Sequence, residues 1–184
     1  MGAVADGSEA AFAELFGRYQ RQIHGYFWRR MEETAAAEEL TQETFLAMLR
    51  GAAKYQYRAT FRTYLYAIAL KLLRAHRRKS EFRGQFAGQV KEGMESGRRD
   101  ETEAGLWVRE AVEKLEPMDR EILLLREFEQ LSYGQIAEVL RLPLNTVRSR
   151  LFRAREALRD FLKPVQTVAM AKNGRELAQR GERP

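Results

Sequence analysis

The stretch LSYGQIAEVLRLPLNTVRSRLFRAREALRDFL, residues 131–162, decides how the rest of the chain is read. Ser132 is placed to cap a helix, and Gln135 three residues on can reach back to close a capping box. Ile136, Val139 and Leu140 then recur at helical spacing. Pro143 stops that helix, because the residue before a proline is pushed out of the α region. A second helix restarts near Leu144 and Asn145, with Val147, Leu151, Ala154 and Leu158 down one side. Two helices joined by so tight a corner form a helix-turn-helix unit, whose second helix suits a DNA groove.

The far side of that second helix carries the chemistry. At about 100° per residue, Thr146, Ser149, Phe152, Arg153 and Glu156 point away from the apolar seam. Arg148, Arg150 and Arg155 flank them, and Arg159 and Lys163 extend the charge. Arginines neutralise phosphates and pair with guanine edges, and Phe152 suits a thymine methyl. The helix dipole alone explains basic residues in the last turns, so Arg155, Arg159 and Lys163 need no ligand. It does not explain Arg148 and Arg150, which sit where the dipole disfavours cations. The DNA reading is therefore preferred over a merely solvated helix end.

Bulk properties agree. A length of 184 residues allows one medium domain or two small ones. No apolar run approaches the roughly 18 residues that span a bilayer, so membrane insertion is not expected. Acidic Asp6 and Glu9 and the lack of an apolar leader argue against export. Cysteine is absent, which excludes disulfides, thiol catalysis and cysteine-ligated zinc and fits a reducing cytosol. With only His24 and His76, histidine-based metal or acid–base sites gain little support, and no cofactor, metal or catalytic residue is expected. A net charge of +6 and a pI near 9.7 point to an anionic partner, nucleic acid before membrane.

Upstream, a first helix is expected from about Glu9 to Arg30, with Phe12, Leu15, Phe16, Tyr19, Ile23, Tyr26 and Phe27 as its core stripe. Thr34 is the expected N-cap of a second helix reaching Arg50, buried through Ala37, Leu40, Thr44 and Met48, with Phe45 and Leu49 beside them. Its other face carries Glu39, Gln42, Glu43 and Leu46, which periodicity alone reads as an acidic, solvated face. Residues 51–60 form a loop in which Lys54, Tyr55, Tyr57 and Arg58 interleave charge and ring. Such tyrosines either stack on unpaired bases or anchor the loop to the core. A third helix, about residues 61–78, buries Leu65, Ile68, Ala69, Leu72 and Leu73. It exposes Arg62, Lys71, Arg74, Arg77, Arg78 and Lys79, a density that favours phosphate tracking.

Residues 80–105 lose hydrophobicity, gain glycine and read as a flexible linker. Beyond it a helix of about residues 103–115 aligns Val108, Ala111, Val112 and Leu115. Pro117 suits the first turn of the next, whose apolar body is Ile122 to Leu125 with Phe128. No strand-like alternation appears. The expected fold is all-α: two small helical bundles, residues 1–79 and 106–163, joined by the linker and followed by a weakly ordered tail at 164–184.

The strings AEELTQETFLAML, FRTYLYAIALKLLRAHRR, LEPMDREILLLREFEQLSYGQIAEVL and LPLNTVRSRLFRAREALR, in this order, closely resemble bacterial RNA polymerase sigma factors. They are similar to the small extracytoplasmic-function (ECF) group of the sigma-70 family, over nearly all of residues 10–162 outside the linker. The resemblance implies a cytoplasmic transcription initiation factor. Its partners would be core RNA polymerase (through the clamp coiled coil and flap), promoter DNA and an anti-sigma factor. It makes Glu39, Gln42 and Glu43 polymerase contacts, against the blander reading that periodicity gives. It assigns Tyr57, Arg58, Arg62, Lys71 and, with the basic helix, Arg74 to the minus-ten element. Arg148, Ser149, Phe152 and Arg153 would read the minus-thirty-five element, on the face already chosen by helical spacing.

The chain departs from the family pattern at Tyr64, where tryptophan is usual, and at Lys71, where a point charge replaces an asparagine amide. Arg141 stands at a corner where glycine is frequent, so a positive φ is expected there. Two rivals are a stand-alone helix-turn-helix regulator and a nucleic-acid-processing enzyme. The first leaves Glu39, Gln42 and Glu43 without a role, and the second needs a carboxylate or metal cluster that the sequence does not offer.

Overall fold

The computed structural model describes residues 1–31, 33–56, 59–86 and 102–180, without the side chains of 83–86, 103 and 164–180. Among the described residues the chain is helical and has no strand. The first bundle contains α1 (Gly2–Ala5), α2 (Glu9–Trp28), α3 (Thr34–Gly51), a 3-10 turn (Ala52–Lys54) and α4 (Phe61–Phe86). The second contains α5 (Glu103–Glu113), α6 (Pro117–Glu127), α7 (Tyr133–Leu140) and α8 (Leu144–Arg180).

In the first bundle Ser8 caps α2, its Oγ accepting from the Ala11 N–H at 3.2 Å. Ile23, Tyr26 and Phe27 of α2 meet Leu40, Phe45 and Met48 of α3 and Leu65, Tyr66 and Leu73 of α4, all buried. Each such side chain contributes about 1.5–3 kcal/mol by leaving water. Phe16 packs edge-on to Phe45, centroids 4.8 Å apart. The buried hydroxyls of Thr41 and Thr44 donate to the carbonyls of Ala37 and Leu40, both at 2.7 Å, so the α3 core side holds no unmet hydroxyl.

Thr34 is not the cap of α3. It is the first helical residue, and Glu33 precedes it without a side-chain cap bond. Two helices outrun their expected ends. α4 continues to Phe86 because nothing in residues 79–83 breaks a helix, and a mixed-charge composition suits a solvated helix as well as a linker. α8 continues through Pro164 to Arg180. A proline removes one ladder bond, and the Ala, Met, Lys, Glu, Leu and Gln beyond it are good helix formers. Of the expected linker, residues 87–101 lie outside the described residues, as do 181–184 of the tail.

The second bundle closes around Ile122, Leu125, Leu131, Ile136, Val147 and Leu151, none more than 1% exposed. Pro117 occupies the first turn of α6, as its sequence position suggests. Phe128, expected in the apolar body, is 55% exposed: it caps α6 with its N–H still bonded to the Leu124 carbonyl, and its ring lies against the Arg29 guanidinium, 5.1 Å away, instead of in the core. The two bundles do not hang apart. α4 packs on α7, and the Gln135 side-chain amide donates to the Thr60 hydroxyl at 3.3 Å.

Candidate nucleic-acid interface

The corner between α7 and α8 follows from its residues. Ser132 Oγ accepts from the Gln135 N–H at 3.2 Å, and the Gln135 side chain accepts from the Ser132 N–H at 2.9 Å, completing the capping box. α7 stops at Leu140 because Arg141 turns left-handed, φ 56° and ψ 47°. Its N–H and that of Leu142 satisfy the Glu138 and Ala137 carbonyls. Pro143 therefore follows a stop already made. Val147, Leu151 and Ala154 are buried beneath α8, which turns its other face outward.

That outward face holds Arg148, Ser149, Phe152 and Arg153, all exposed. Phe152 is 66% exposed, a large ring with no core to fill. Ser149 donates back to the Thr146 carbonyl at 3.1 Å, and Arg148 reaches Asn145 Oδ1 at 3.5 Å. Two neighbouring cations have another occupation. Arg150 bonds Glu116 Oε2 at 2.8 Å and Asp119 Oδ1 at 2.7 Å, and these bonds hold its pKa above the ordinary value. Arg155 pairs with Glu127 at 2.6 Å. Arg150, which the dipole argument left for DNA, is instead a tie from α8 to the start of α6.

The first bundle places its basic residues differently. Lys71, Arg74 and Arg78 lie at successive turns of α4 along a cleft of about 820 Å³. Tyr55, Gln56, Thr63 and Tyr64 complete one wall, and Glu138, Val139, Leu140 and Arg141 of α7 form the other. Tyr55 anchors its loop, donating to the Ala59 carbonyl at 3.0 Å and packing on Tyr64 with centroids 4.8 Å apart. Burial raises the Tyr64 pKa, and its hydroxyl lies where a Cβ on Gly51 would clash. Arg62 does not join this cleft. Its guanidinium donates to the Glu129 carbonyl of the other bundle, so it is not brought together with Lys71 and Arg74. Tyr57 and Arg58 lie outside the described residues. On α3, Glu39, Gln42 and Glu43 are exposed beside Leu46 (47%) and Leu49 (36%), an acidic face with an apolar ridge. Leu49 belongs to this face rather than to the core side expected for it.

One cluster had no signal in the sequence. Glu129, 2% exposed, receives Arg29 Nη2 at 2.7 Å, Tyr66 Oη at 3.0 Å and Arg30 Nη1 at 3.4 Å. Glu121 receives Arg30 Nε at 3.1 Å and Tyr26 Oη at 3.3 Å. The Arg30 guanidinium also lies 3.9 Å over the Tyr26 ring. Burial works against the Arg30 charge, yet the Glu121 carboxylate and the Tyr26 hydroxyl more than offset it and keep the group cationic. Burial first, then the adjacent carboxylate, raises the pKa of Tyr26 and of Tyr66. The partners stand 63 to 100 positions apart in the chain, beyond any local pattern.

Among the described residues no group of three or more His, Asp or Glu side chains could hold a metal ion. Among them, too, no helix is long and apolar enough to cross a membrane.

Comparison with known proteins matches both bundles. The sigma-70 region 2 model covers residues 15–83, and the sigma-70 region 4 model covers residues 105–158. The chain is 35% identical to the RNA polymerase sigma-H factor of Pseudomonas aeruginosa, over 88% of this chain and 91% of that one. It is 30% identical to the ECF RNA polymerase sigma-E factor of Haemophilus influenzae, over 88% and 93% of the two chains. The solved structure of CnrH in complex with the cytosolic domain of CnrY has the same fold, with a TM-score of 0.69 at 22% identity, covering 88% of this chain and 94% of that one. A two-bundle helical protein ending in a helix-turn-helix is the class these features define. The chain belongs to the ECF group of the sigma-70 family of RNA polymerase sigma factors.

Proposed function

We propose that this protein is a cytoplasmic transcription initiation factor that brings core RNA polymerase to promoters and has no catalytic chemistry of its own. In this reading the exposed α3 face, Glu39, Gln42 and Glu43 with Leu46 beside them, docks on the polymerase clamp coiled coil, and the second bundle meets the flap. Lys71 and Arg74, with Tyr57 and Arg58, take the opened minus-ten strand. Arg148, Ser149, Phe152 and Arg153 read the minus-thirty-five duplex. An anti-sigma factor is the expected regulator. The observation that carries the reading is the pairing, in one chain, of an open cationic helix-turn-helix face with an acidic, apolar-ridged face on a separate bundle. A stand-alone regulator would use the first and leave the second idle.

The test is initiation itself. Added to core polymerase with a library of promoter fragments, the protein is expected to direct transcripts from discrete start sites. Duplex binding without promoter-specific start sites would overturn the assignment. Glu43→Lys is expected to weaken polymerase binding about tenfold, of the order seen for a lost charged contact, and to leave duplex binding by the second bundle intact. Equal loss of both would remove α3 from the docking role.

A further inference from the structure

The cations of the α8 face fall into two groups. Among the described residues neither Arg148 nor Arg153 pairs with a carboxylate, and Arg148 reaches the neutral Asn145 Oδ1 at 3.5 Å. The arginines on the two shoulders of the face are both paired. At about 100° per residue, Arg150 and Arg155 stand to either side of Ser149, Phe152 and Arg153. Arg150 donates to Glu116 Oε2 at 2.8 Å and to Asp119 Oδ1 at 2.7 Å, and Arg155 donates to Glu127 Oε1 at 2.6 Å. All three acids come from α6 or its N-cap. A helix seated in the major groove has a phosphate strand on each side, and its shoulder side chains are the ones nearest those strands. The carboxylates of α6 thus occupy the two arginines that phosphates would otherwise attract.

We propose that Glu116, Asp119 and Glu127 act as built-in phosphate mimics, withholding Arg150 and Arg155 from the DNA backbone and keeping the sequence-independent affinity of this face low. The proposal rests on the reading of the α8 face as the duplex reader. Phosphate contacts strengthen binding to any sequence, whereas contacts to base edges choose between sequences. With its shoulders paired internally, the face holds arbitrary duplex weakly while Arg148, Ser149, Phe152 and Arg153 keep their choice of bases. Tight binding then depends on the first bundle being engaged as well, since two linked sites raise each other's effective concentration. The withheld side chains remain within reach of solvent, Arg150 at 28% and Arg155 at 48% exposure, so neutralising their partners releases them to DNA.

Salt titrations of duplex binding by the full chain test this, with a duplex enriched from a random-sequence pool and a scrambled duplex of the same composition. Glu116→Gln combined with Asp119→Asn is expected to tighten binding of both duplexes about fivefold in about 0.15 M salt. The salt dependence should steepen by about one phosphate contact. The affinity ratio between the two duplexes should stay within about twofold of the wild-type ratio, because a phosphate contact acts alike on all sequences. Glu127→Gln, in an exposed pair on the opposite shoulder, should do the same through Arg155 and covers the case in which the start of α6 fails to fold. Adding Arg150→Ala to the Glu116→Gln and Asp119→Asn pair is expected to abolish its gain. A gain that survives Arg150→Ala would come from the loss of negative charge alone and would overturn the proposal. Unchanged binding in both neutralised variants would overturn it too, as would a shallower salt dependence in Arg150→Ala alone, since Arg150 would then already hold a phosphate. Binding of both duplexes unmoved by Arg153→Ala would instead overturn the α8 face as the duplex reader.

Discussion

The helix-turn-helix face of α8 and the basic stripe of α4 have similar chemistry and opposite circumstances. On α8, Arg148, Ser149, Phe152 and Arg153 face solvent over a closely packed seam. On α4, Lys71 and Arg74 are solvent-accessible but share a cleft with another bundle, and Arg62 is already bonded. Charge density alone does not distinguish them. What does is whether the counter-surface is missing or supplied by the chain itself. Under the proposed function the open α8 face meets duplex DNA, whereas the α4 cleft takes an unpaired strand.

The most forceful way to break that contrast is to remove the rigidity under α8. Leu151 is 1% exposed and lies in the seam with Val147 and Ala154. Leu151→Ala is expected to cost about 2–5 kcal/mol in chemical denaturation, with loss of duplex binding at ordinary temperature. A near-wild-type midpoint would mean that the seam repacks and that the α8 face does not depend on it.

A second test acts on the face itself. Arg153→Ala is expected to lose roughly 1–3 kcal/mol for the preferred upstream duplex and to relax its sequence preference. Titration by fluorescence anisotropy against duplexes changed one base pair at a time reads both effects. Loss of affinity with preference intact would make Arg153 a phosphate contact. Arg150→Ala should behave differently, reducing stability through Glu116 and Asp119 before it touches recognition.

How legible these features were in the sequence depends on the range of each interaction. The capping box of Ser132 and Gln135, the first-turn Pro117 and the apolar seam of α8 are local, and each stands where the spacing put it. The partners of Arg150 were hidden because Glu116 and Asp119 lie over 30 positions upstream, and only folding brings them within 3 Å. The Glu129 cluster was hidden for the same reason, and Phe128 was misjudged because periodicity does not reveal where a helix ends. Arg141 was legible as strain: its corner demands a left-handed residue, and φ of 56° meets that demand with a side chain that disfavours it. Arg141→Gly is therefore expected to raise stability by about 0.5–1 kcal/mol, the relief of strain less the added freedom of the unfolded chain. A lower melting temperature would show that the arginine side chain contributes more on the cleft wall than its backbone costs.

The smallest effect is the one that bears most directly on the comparison. Arg74 is exposed, and an exposed side chain away from special features usually changes stability by no more than about 0.5 kcal/mol. Arg74→Ala should therefore leave stability, and duplex binding by the second bundle, almost unchanged. Under the proposed function the same substitution should weaken binding of a single-stranded oligonucleotide and lower its salt dependence by about one phosphate contact. Unchanged oligonucleotide affinity and salt dependence would place Arg74 outside the strand-binding surface and leave the α4 stripe without the role that the α8 face has.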